Sequence, residues 1–356
     1  MKILFLFPRL GIGGVSKSLA FVANAYTAEG HSVVALSMSN EAQTVNLSPS
    51  IKKEFLPLPS SRSRLFSLFL KLYWSIRFRL KVRHHKPDWI VVFRPDLTKA
   101  VMFSLRKMKH KPKILASERG NPKAYGERWK SYKSYYNKCT GVVFQTPQVQ
   151  DFYSLSTSSY IIPNPAVSRL GASTQQRTLG QNIISVGRLS PEKNFEGLIQ
   201  AFALCRPYLP ESKLIIYGDG EHREVLAHLI KSLNLEEFVL MPGNVADFVA
   251  LDDDAGLFVL NSLTEGMPNS LIEAMLAGLP CVASDCPSGG VAWLSDNGRR
   301  AKLVPVNDAT ALATAIQEVF SDQSLRNSLI RNSAELDSLL NPEIIRERWV
   351  DIIRTL

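Results

Sequence analysis

Short apolar runs alternate along the chain with stretches of helical periodicity. In the first half the runs are "KILFLF", "SVVALS", "DWIVVF", "KILAS" and "GVVFQT", with helices predicted over 15–29, in the basic stretch around "LFSLFLKLYWSIRFRL", and over 97–109. The second half repeats the pattern. Here "NIISVG", "KLIIYG", "FVLMPG", "GLFVLN" and "PCVAS" are separated by helical segments at 194–205, 221–233, 246–251 and 270–277, and further helices follow from 308. Alternation of this kind implies parallel sheets flanked by helices. The polar, glycine-bearing stretch within 166–181 lacks periodicity and reads as a linker. The expected organisation is therefore α/β: two Rossmann-like, doubly wound parallel-sheet domains facing one another across a cleft. Their expected bounds are 1–168 and 182–340, with a linker at 169–181 and a final helix at 341–356 crossing back to the first domain.

Length agrees with two domains, because 356 residues with 45% hydrophobic content exceed what one core usually accommodates. Cys139, Cys205, Cys281 and Cys286 show no C-x-x-C spacing and suit a reducing cytosol. The first apolar run is too short for a signal-peptide core, and no stretch reaches the ~18 apolar residues of a membrane span. Charge changes the picture more. Residues 1–170 hold 27 Lys and Arg against 8 Asp and Glu, so the first half carries +19 and the rest −9. Between Phe55 and Pro87 there is no acidic residue, while Arg62, Arg64, Lys71, Arg77, Arg79, Lys81, Arg83 and Lys86 fall among aromatics. Helical spacing turns Leu65, Leu68, Phe69, Leu72, Ile76 and Leu80 to the core and leaves Phe66, Leu70, Tyr73 and Trp74 partly beside the cations. That mixture suits an anionic membrane surface, or else an ordinary solvated face. No recognition motif for nucleic acid is present.

Candidate chemistry lies in the loops. "RLGIGGVSKSLA" follows the first apolar run and resembles a phosphate cradle, but Ser16 stands where both a dinucleotide-binding loop and a P-loop need glycine. Arg188 and Lys193 sit on a strand-to-helix turn in "SVGRLSPEKNFEGLI". In "NSLTEGMPNSLIEAMLAGLP", Glu265 ends a strand ahead of a helix stopped by Gly278 and Pro280. Ser270 and Glu273 also have the spacing of a capping box, which would explain Glu273 by helix stability alone. Asp252 to Asp254 contain a D-x-D pattern, read as a solvated turn. The histidines form no metal-ligand spacing.

The joint order of these elements resembles the retaining glycosyltransferases of family 4, the glycosyl transferases group 1, whose fold is GT-B. The resemblance runs along almost the whole chain, from the glycine pair through Arg188 and Lys193, "YGDGE" and "PGNV", to the E-x7-E element of Glu265 and Glu273. It implies that Arg188 and Lys193 neutralise a donor diphosphate without a metal, and that Glu265 meets the transferred sugar while Glu273 binds ribose hydroxyls. Backbone N–H groups around Gly266, Met267, Pro268, Asn269 and Ser270 would meet the phosphates. Tyr217, Gly218 and Asp219 with Gly243, Asn244 and Val245 would hold the nucleobase. Gly13 and Gly14 would face the diphosphate from the other domain, and Lys17 stands where many relatives have arginine. Two departures concern the sugar: "SERGN" places Glu118 and Arg119 where many relatives have a histidine, and Ala292 stands where a glutamate is common. Arg119 then either takes the histidine's place or turns toward the acceptor.

The function so implied is retaining, metal-independent transfer of a hexose or N-acetylhexosamine from a nucleotide sugar, most consistent with UDP, without further cofactor. The acceptor would be a lipid-linked, polyprenyl diphosphate saccharide at the cytoplasmic membrane face, with the basic half toward the anionic bilayer. A nucleotide-sugar epimerase of the same fold and a non-catalytic, membrane-associated binding protein are the alternatives. A nicotinamide dehydrogenase is disfavoured, because no acidic ribose-binding residue ends "SVVALSMS".

Overall fold

The computed structural model describes residues 1–10, 14–39, 45–57, 64–106, 108–166, 179–245, 248 and 254–356. It divides into two units, Met1–Asn164 with Glu343–Leu356, and Pro165–Pro342, so the chain passes from one to the other ahead of the stretch expected as linker.

The first unit comprises β1 (Lys2–Phe7), α1 (Gly14–Ala28), β2 (Ser32–Ser37), β3 (Lys52–Phe55), α2 (Arg64–His85), β4 (Trp89–Phe93), α3 (Pro95–Leu105), β5 (Lys113–Ser117), α4 (Arg128–Tyr136), β6 (Gly141–Phe144), α5 (Pro147–Tyr153) and β7 (Ser158–Ile161). Its strands form one parallel sheet in the order β3-β2-β1-β4-β5-β6-β7. Continuous apolar runs are what a sheet covered on both faces requires, and β4 is buried at every position. The two edge strands, "KKEF" and "SSYI", carry no such run and escape the sequence pattern.

The second unit comprises β8 (Asn182–Val186), α6 (Phe195–Cys205), β9 (Leu214–Tyr217), α7 (Arg223–Ser232), β10 (Val239–Gly243), β11 (Ala255–Leu260), α8 (Asn269–Leu276), β12 (Cys281–Ser284), α9 (Gly290–Ser295), β13 (Lys302–Val304), α10 (Ala309–Ser321), α11 (Gln323–Ser333) and α12 (Glu335–Leu339). Its sheet is also parallel, in the order β10-β9-β8-β11-β12-β13. The helix expected at 246–251 lies outside the described residues. A last helix, α13 (Pro342–Thr355), packs in the first unit: Trp349 stacks on Phe93 with ring centroids 5.5 Å apart, and the Tyr26 hydroxyl donates to the Trp349 carbonyl. Two units, each a parallel sheet with helices, constitute the expected α/β class.

Helix α2 is turned differently from its periodicity. Phe69, Leu72, Ile76 and Leu80 do not enter the core: Phe69 is 62% exposed and Ile76 48%. Trp74, Phe78 and Val82 do so instead. The Trp74 ring stacks on Phe78 at 5.0 Å and its Nε1 donates to the Leu56 carbonyl, which removes Trp74 from the residues expected to face a membrane. An indole buries more area than a branched aliphatic and keeps a partner for its N–H, so it prevails over the longer aliphatic stripe. Arg79 and Lys81 are also held within the unit, Arg79 Nε donating to the Ser104 carbonyl at 2.5 Å and Lys81 pairing with Glu54 at 2.6 Å. Lys71, Arg77 and Arg83 stay exposed. Arg62 and the Arg64 side chain lie outside the described residues.

Glu54 ties edge strand β3 to α2. Burial raises its pKa, but hydrogen bonds from Lys81, Lys52 and His85 outweigh burial and hold the carboxyl at about 2. A carboxylate depressed on folding stabilises the fold above its unfolded pKa and loses that contribution as pH falls through the folded value. Acid titration of the wild type should therefore lose stability between about pH 4.5 and 2. Denaturant melts across that window should show a smaller loss for Glu54→Gln, which has no such proton to take up.

Candidate functional site

Ligands of open parallel sheets gather beyond the carboxyl ends of strands, where strand order reverses. In the second unit that point lies between β8 and β11. The loop after β8 carries Arg188 and Lys193, and the loop after β11 carries Glu265. The two loops are joined: Leu263 N–H donates to the Glu192 carbonyl at 2.8 Å and Asn261 Nδ2 to the Asn194 carbonyl at 3.0 Å. Asn194 adopts φ 49° and caps α6, its side chain accepting from Gly197 N–H, which sends the chain into the helix directly after Lys193.

On this frame Lys193 Nζ bonds Glu265 Oε1, which also accepts from Ser262 Oγ at 2.7 Å. Ser262 is buried, and its carbonyl accepts from Ser284 Oγ at 2.5 Å and Cys286 Sγ at 3.1 Å. Glu265 is thus oriented from beneath by β12 and from the side by a cation. Ser262 was not singled out from the sequence, although it lies three residues before Glu265. Arg188 is exposed at the same loop.

Helix α8 opens directly after, with Pro268 at its N-cap and no side-chain cap. Ser270 is then inside the first turn and Glu273 in the second, so the two do not form a capping box, and that explanation of Glu273 is withdrawn. The first N–H groups of a helix have no intrahelical partner, so the first turn of α8 presents a positive dipole end here. The approach of Gly266 and Met267 is set by Gly290 of α9: a Cβ on Gly290 would stand 1.6 Å from the Gly266 carbonyl oxygen.

The adjoining strand ends are stitched to the same loop. Gly187 N–H donates to the Tyr217 carbonyl, Leu189 N–H to the Asp219 carbonyl, and Gly218 N–H to the Gly243 carbonyl. Gly218 has φ 140°, and a Cβ there would meet the Gly187 oxygen at 1.8 Å, so backbone contact demands glycine. The Tyr217 ring belongs to the unit's core, as does the Met267 side chain, so only their backbones can serve a ligand. Asp219 and Asn244 are exposed, and Val245 packs partly against that core.

In the first unit the corresponding reversal lies between β1 and β4. Gly13 is outside the described residues, and Gly14 opens α1. Ser16, at the position where other cradles have glycine, donates to the Arg9 carbonyl at 2.8 Å. Lys17 is exposed on the first turn of α1. Arg94, which the sequence did not flag, ends β4 with φ 107°, a conformation side-chain-bearing residues rarely adopt, and binds Asp96 through Nε and Nη2.

Glu118 is not a sugar contact. It is fully buried, with Tyr125, Tyr136 and Tyr153 hydroxyls donating to it at 2.9, 3.1 and 3.0 Å, and Gly120 and Arg119 N–H groups completing the shell. Burial pushes its carboxyl up, against the pull of those donors. Its role is to fix the loop that carries Arg119. The Arg119 guanidinium lies 4.5 Å over Phe93 and 5.4 Å over Trp349, and Nη1 donates to Asn164 Oδ1 at 3.0 Å. Burial lowers it to about 9 while Glu118 opposes the shift, so it stays cationic at neutral pH.

Among the described residues no group of three or more His, Cys, Asp or Glu could hold a metal ion, and Asp252 and Asp253 lie outside them.

Residues 174–336, which make up most of the second unit, match the family described as Glycosyl transferases group 1. Over its full length the chain is similar to solved GT-B structures. Sucrose-phosphate synthase from Thermosynechococcus elongatus superposes with a TM-score of 0.81 at 19% identity, covering 100% of this chain and 99% of that one. Anabaena HepE in complex with UDP-glucose gives 0.79 at 20% identity, with 100% of both chains covered. At these identities the likeness establishes the fold. Among curated relatives, an uncharacterized glycosyltransferase of Methanocaldococcus jannaschii is 29% identical over 58% of each chain. The relative in Campylobacter jejuni named GalNAc-alpha-(1->4)-GalNAc-alpha-(1->3)-diNAcBac-PP-undecaprenol alpha-1,4-N-acetyl-D-galactosaminyltransferase is 26% identical over 99% of this chain and 98% of its own.

Proposed function

We propose that this protein is a glycosyltransferase that moves a hexose or N-acetylhexosamine from a UDP-sugar, with retention and without a metal, onto a lipid-linked saccharide in surface polysaccharide assembly. The observation that carries the reading is the switch-point arrangement of the second unit: Lys193 held on Glu265, Arg188 exposed on the same loop as Lys193, and the N-terminus of α8 directly after Glu265. In this reading Lys193 and Arg188 turn to the diphosphate, whose charge grows as the bond to the sugar breaks, and α8 N–H groups share that charge. Lys193 then leaves Glu265 for the phosphate, and Glu265, still oriented by Ser262, receives a sugar hydroxyl. Glu273 binds the ribose hydroxyls. The acceptor oxygen attacks on the face the leaving phosphate vacates, and its proton passes to that phosphate.

The acceptor assignment draws support from the Campylobacter relative, whose name carries an undecaprenyl diphosphate saccharide, and the donor from UDP-glucose in the HepE structure. Lys17 and Arg119 are the first-unit cations proposed to serve the acceptor or the transferred sugar. No described helix is long and apolar enough to cross a membrane. The exposed stripe of Phe69, Leu72, Tyr73, Ile76 and Leu80, flanked by Lys71, Arg77 and Arg83, supports peripheral attachment to the inner face of an anionic cytoplasmic membrane.

The test is product analysis of UDP-sugars incubated with the protein, with and without a polyprenyl diphosphate saccharide. Glycan extension that requires the acceptor is expected. Conversion of the donor to another UDP-sugar without acceptor would instead identify an epimerase.

A further inference from the structure

A second concentration of positive charge lies at the opposite end of the first unit's sheet, where the amino ends of β1, β4 and β5 meet the carboxyl end of α2. There a cavity of about 1040 Å³ is lined by Arg83, Lys86, Lys109, Lys111 and Lys113 around a floor that includes Trp89. Its one acidic lining residue, Asp88, already accepts from Lys2 N–H at 2.7 Å. Among the described residues no carboxylate pairs with Arg83, Lys86, Lys109 or Lys111, and all four are exposed. Lys113 alone is partly engaged, lying 5.3 Å over the Trp89 ring and donating to the Leu356 carbonyl at 2.6 Å. Like charges gathered in a concave site repel one another unless an anion joins them.

Lys86 adds an independent observation. It sits just past α2 with φ 47°, its N–H donating to the Val82 carbonyl at 2.9 Å. That left-handed position at a helix end is where glycine costs least. A lysine there bears backbone strain, which is expected where the side chain is needed.

We propose that this cavity binds the phosphate of an anionic phospholipid headgroup. The lipid source follows from position: Arg83, on α2 itself, lies three residues beyond Leu80, about 4.5 Å along the helix from the exposed apolar stripe, and Lys86 follows directly after the helix end. A bilayer receiving that stripe brings phosphodiesters to the cavity. The choice of lipid rests on the membrane reading above, whereas the phosphate site stands on the cavity itself.

The test uses the full chain, with short-chain phosphatidylglycerol below its micellar concentration and inorganic phosphate as soluble probes. Vesicles of phosphatidylcholine, with or without phosphatidylglycerol, are the membrane probe. The variants are Lys86→Gly, the triple Lys86→Gly/Lys109→Ala/Lys111→Ala, and Leu72→Ser/Ile76→Ser in the stripe. At about fivefold per cation, the triple variant should bind soluble phosphatidylglycerol about a hundredfold more weakly than wild type. Lys86→Gly should bind more weakly yet melt no lower, a combination that lost packing would not produce. Unchanged binding of the soluble lipid by the triple variant overturns the site. Inorganic phosphate bound as tightly as the lipid, with no vesicle binding, overturns the lipid source. If the stripe variant alone releases vesicles, the membrane reading survives and the cavity proposal fails. If vesicles never bind but the soluble lipid distinguishes wild type from triple variant, the membrane reading fails and the headgroup-phosphate site stands.

Discussion

Lys193→Ala is expected to lower transfer at least a hundredfold while the protein remains folded. In the proposed site Lys193 is the cation closest to Glu265 and the one able to swing to the departing diphosphate. Loss of a single donor that stabilises developing negative charge typically costs about 10² to 10³ in kcat. Stability should change less. Glu265 keeps its bond from Ser262 and loses one ion-pair partner at a site where both side chains retain some solvent, 21% for Lys193 and 11% for Glu265. Uncovering a partly buried carboxylate in this way costs on the order of 1 to 3 kcal/mol. Lys193→Met should behave alike, since the missing element is charge rather than volume. Steady-state kinetics beside a denaturant melt separate the two quantities. Turnover within a fewfold of wild type would remove Lys193 from the chemistry and leave it as a strut for Glu265.

Gly290→Ala should be the most damaging small substitution in the second unit. The added methyl would lie 1.6 Å from the Gly266 carbonyl oxygen and 2.7 Å from its carbon, and both are backbone atoms that cannot rotate away. Either α9 withdraws or the Gly266–Met267 segment shifts, and that segment leads into α8. Overpacking a side-chain contact costs about 1 to 3 kcal/mol, and a backbone clash this close should exceed it. Gly30→Ala is the control: its φ of 79° also disfavours alanine, yet nothing lies within 4 Å of the new Cβ. It should lose only the modest backbone penalty and keep full activity. Gly290 itself has no positive φ, so equal melting losses for the two variants would show that the Gly266 contact is relieved by a small shift and costs no more than a backbone penalty.

The central strands of both sheets could be read from sequence because a strand buried on two faces must be a run of apolar residues, as in "WIVVF" and "GLFVL". Edge strands β3 and β7 could not, since half-exposed strands of four residues carry too few apolar positions to show a pattern. Helix α2 misled for a related reason: two apolar stripes compete on one helix, and periodicity alone does not say that Trp74 and Phe78 outweigh Ile76 and Leu80. At the site, Arg188, Lys193 and Glu265 were visible as charged residues at strand ends, where burial is unneeded unless something is bound. Their supports were not. Ser262, Asn261 and Gly290 act through contacts made across separate loops, and Glu118 looked available because its three tyrosines lie 7 to 35 residues downstream. The capping-box reading of Ser270 and Glu273 failed by a helix start two residues earlier than a Ser270 cap requires, a shift that spacing alone cannot detect.

The account turns on the switch point of the second unit being a nucleoside diphosphate site. Calorimetric titration of UDP into wild type and Arg188→Ala/Lys193→Ala, with ADP and GDP alongside, tests that most directly. The account predicts saturable UDP binding by the wild type in preference to ADP and GDP, weakened at least a hundredfold in the double variant. Equal UDP affinity in the two proteins would contradict it and place the nucleotide elsewhere.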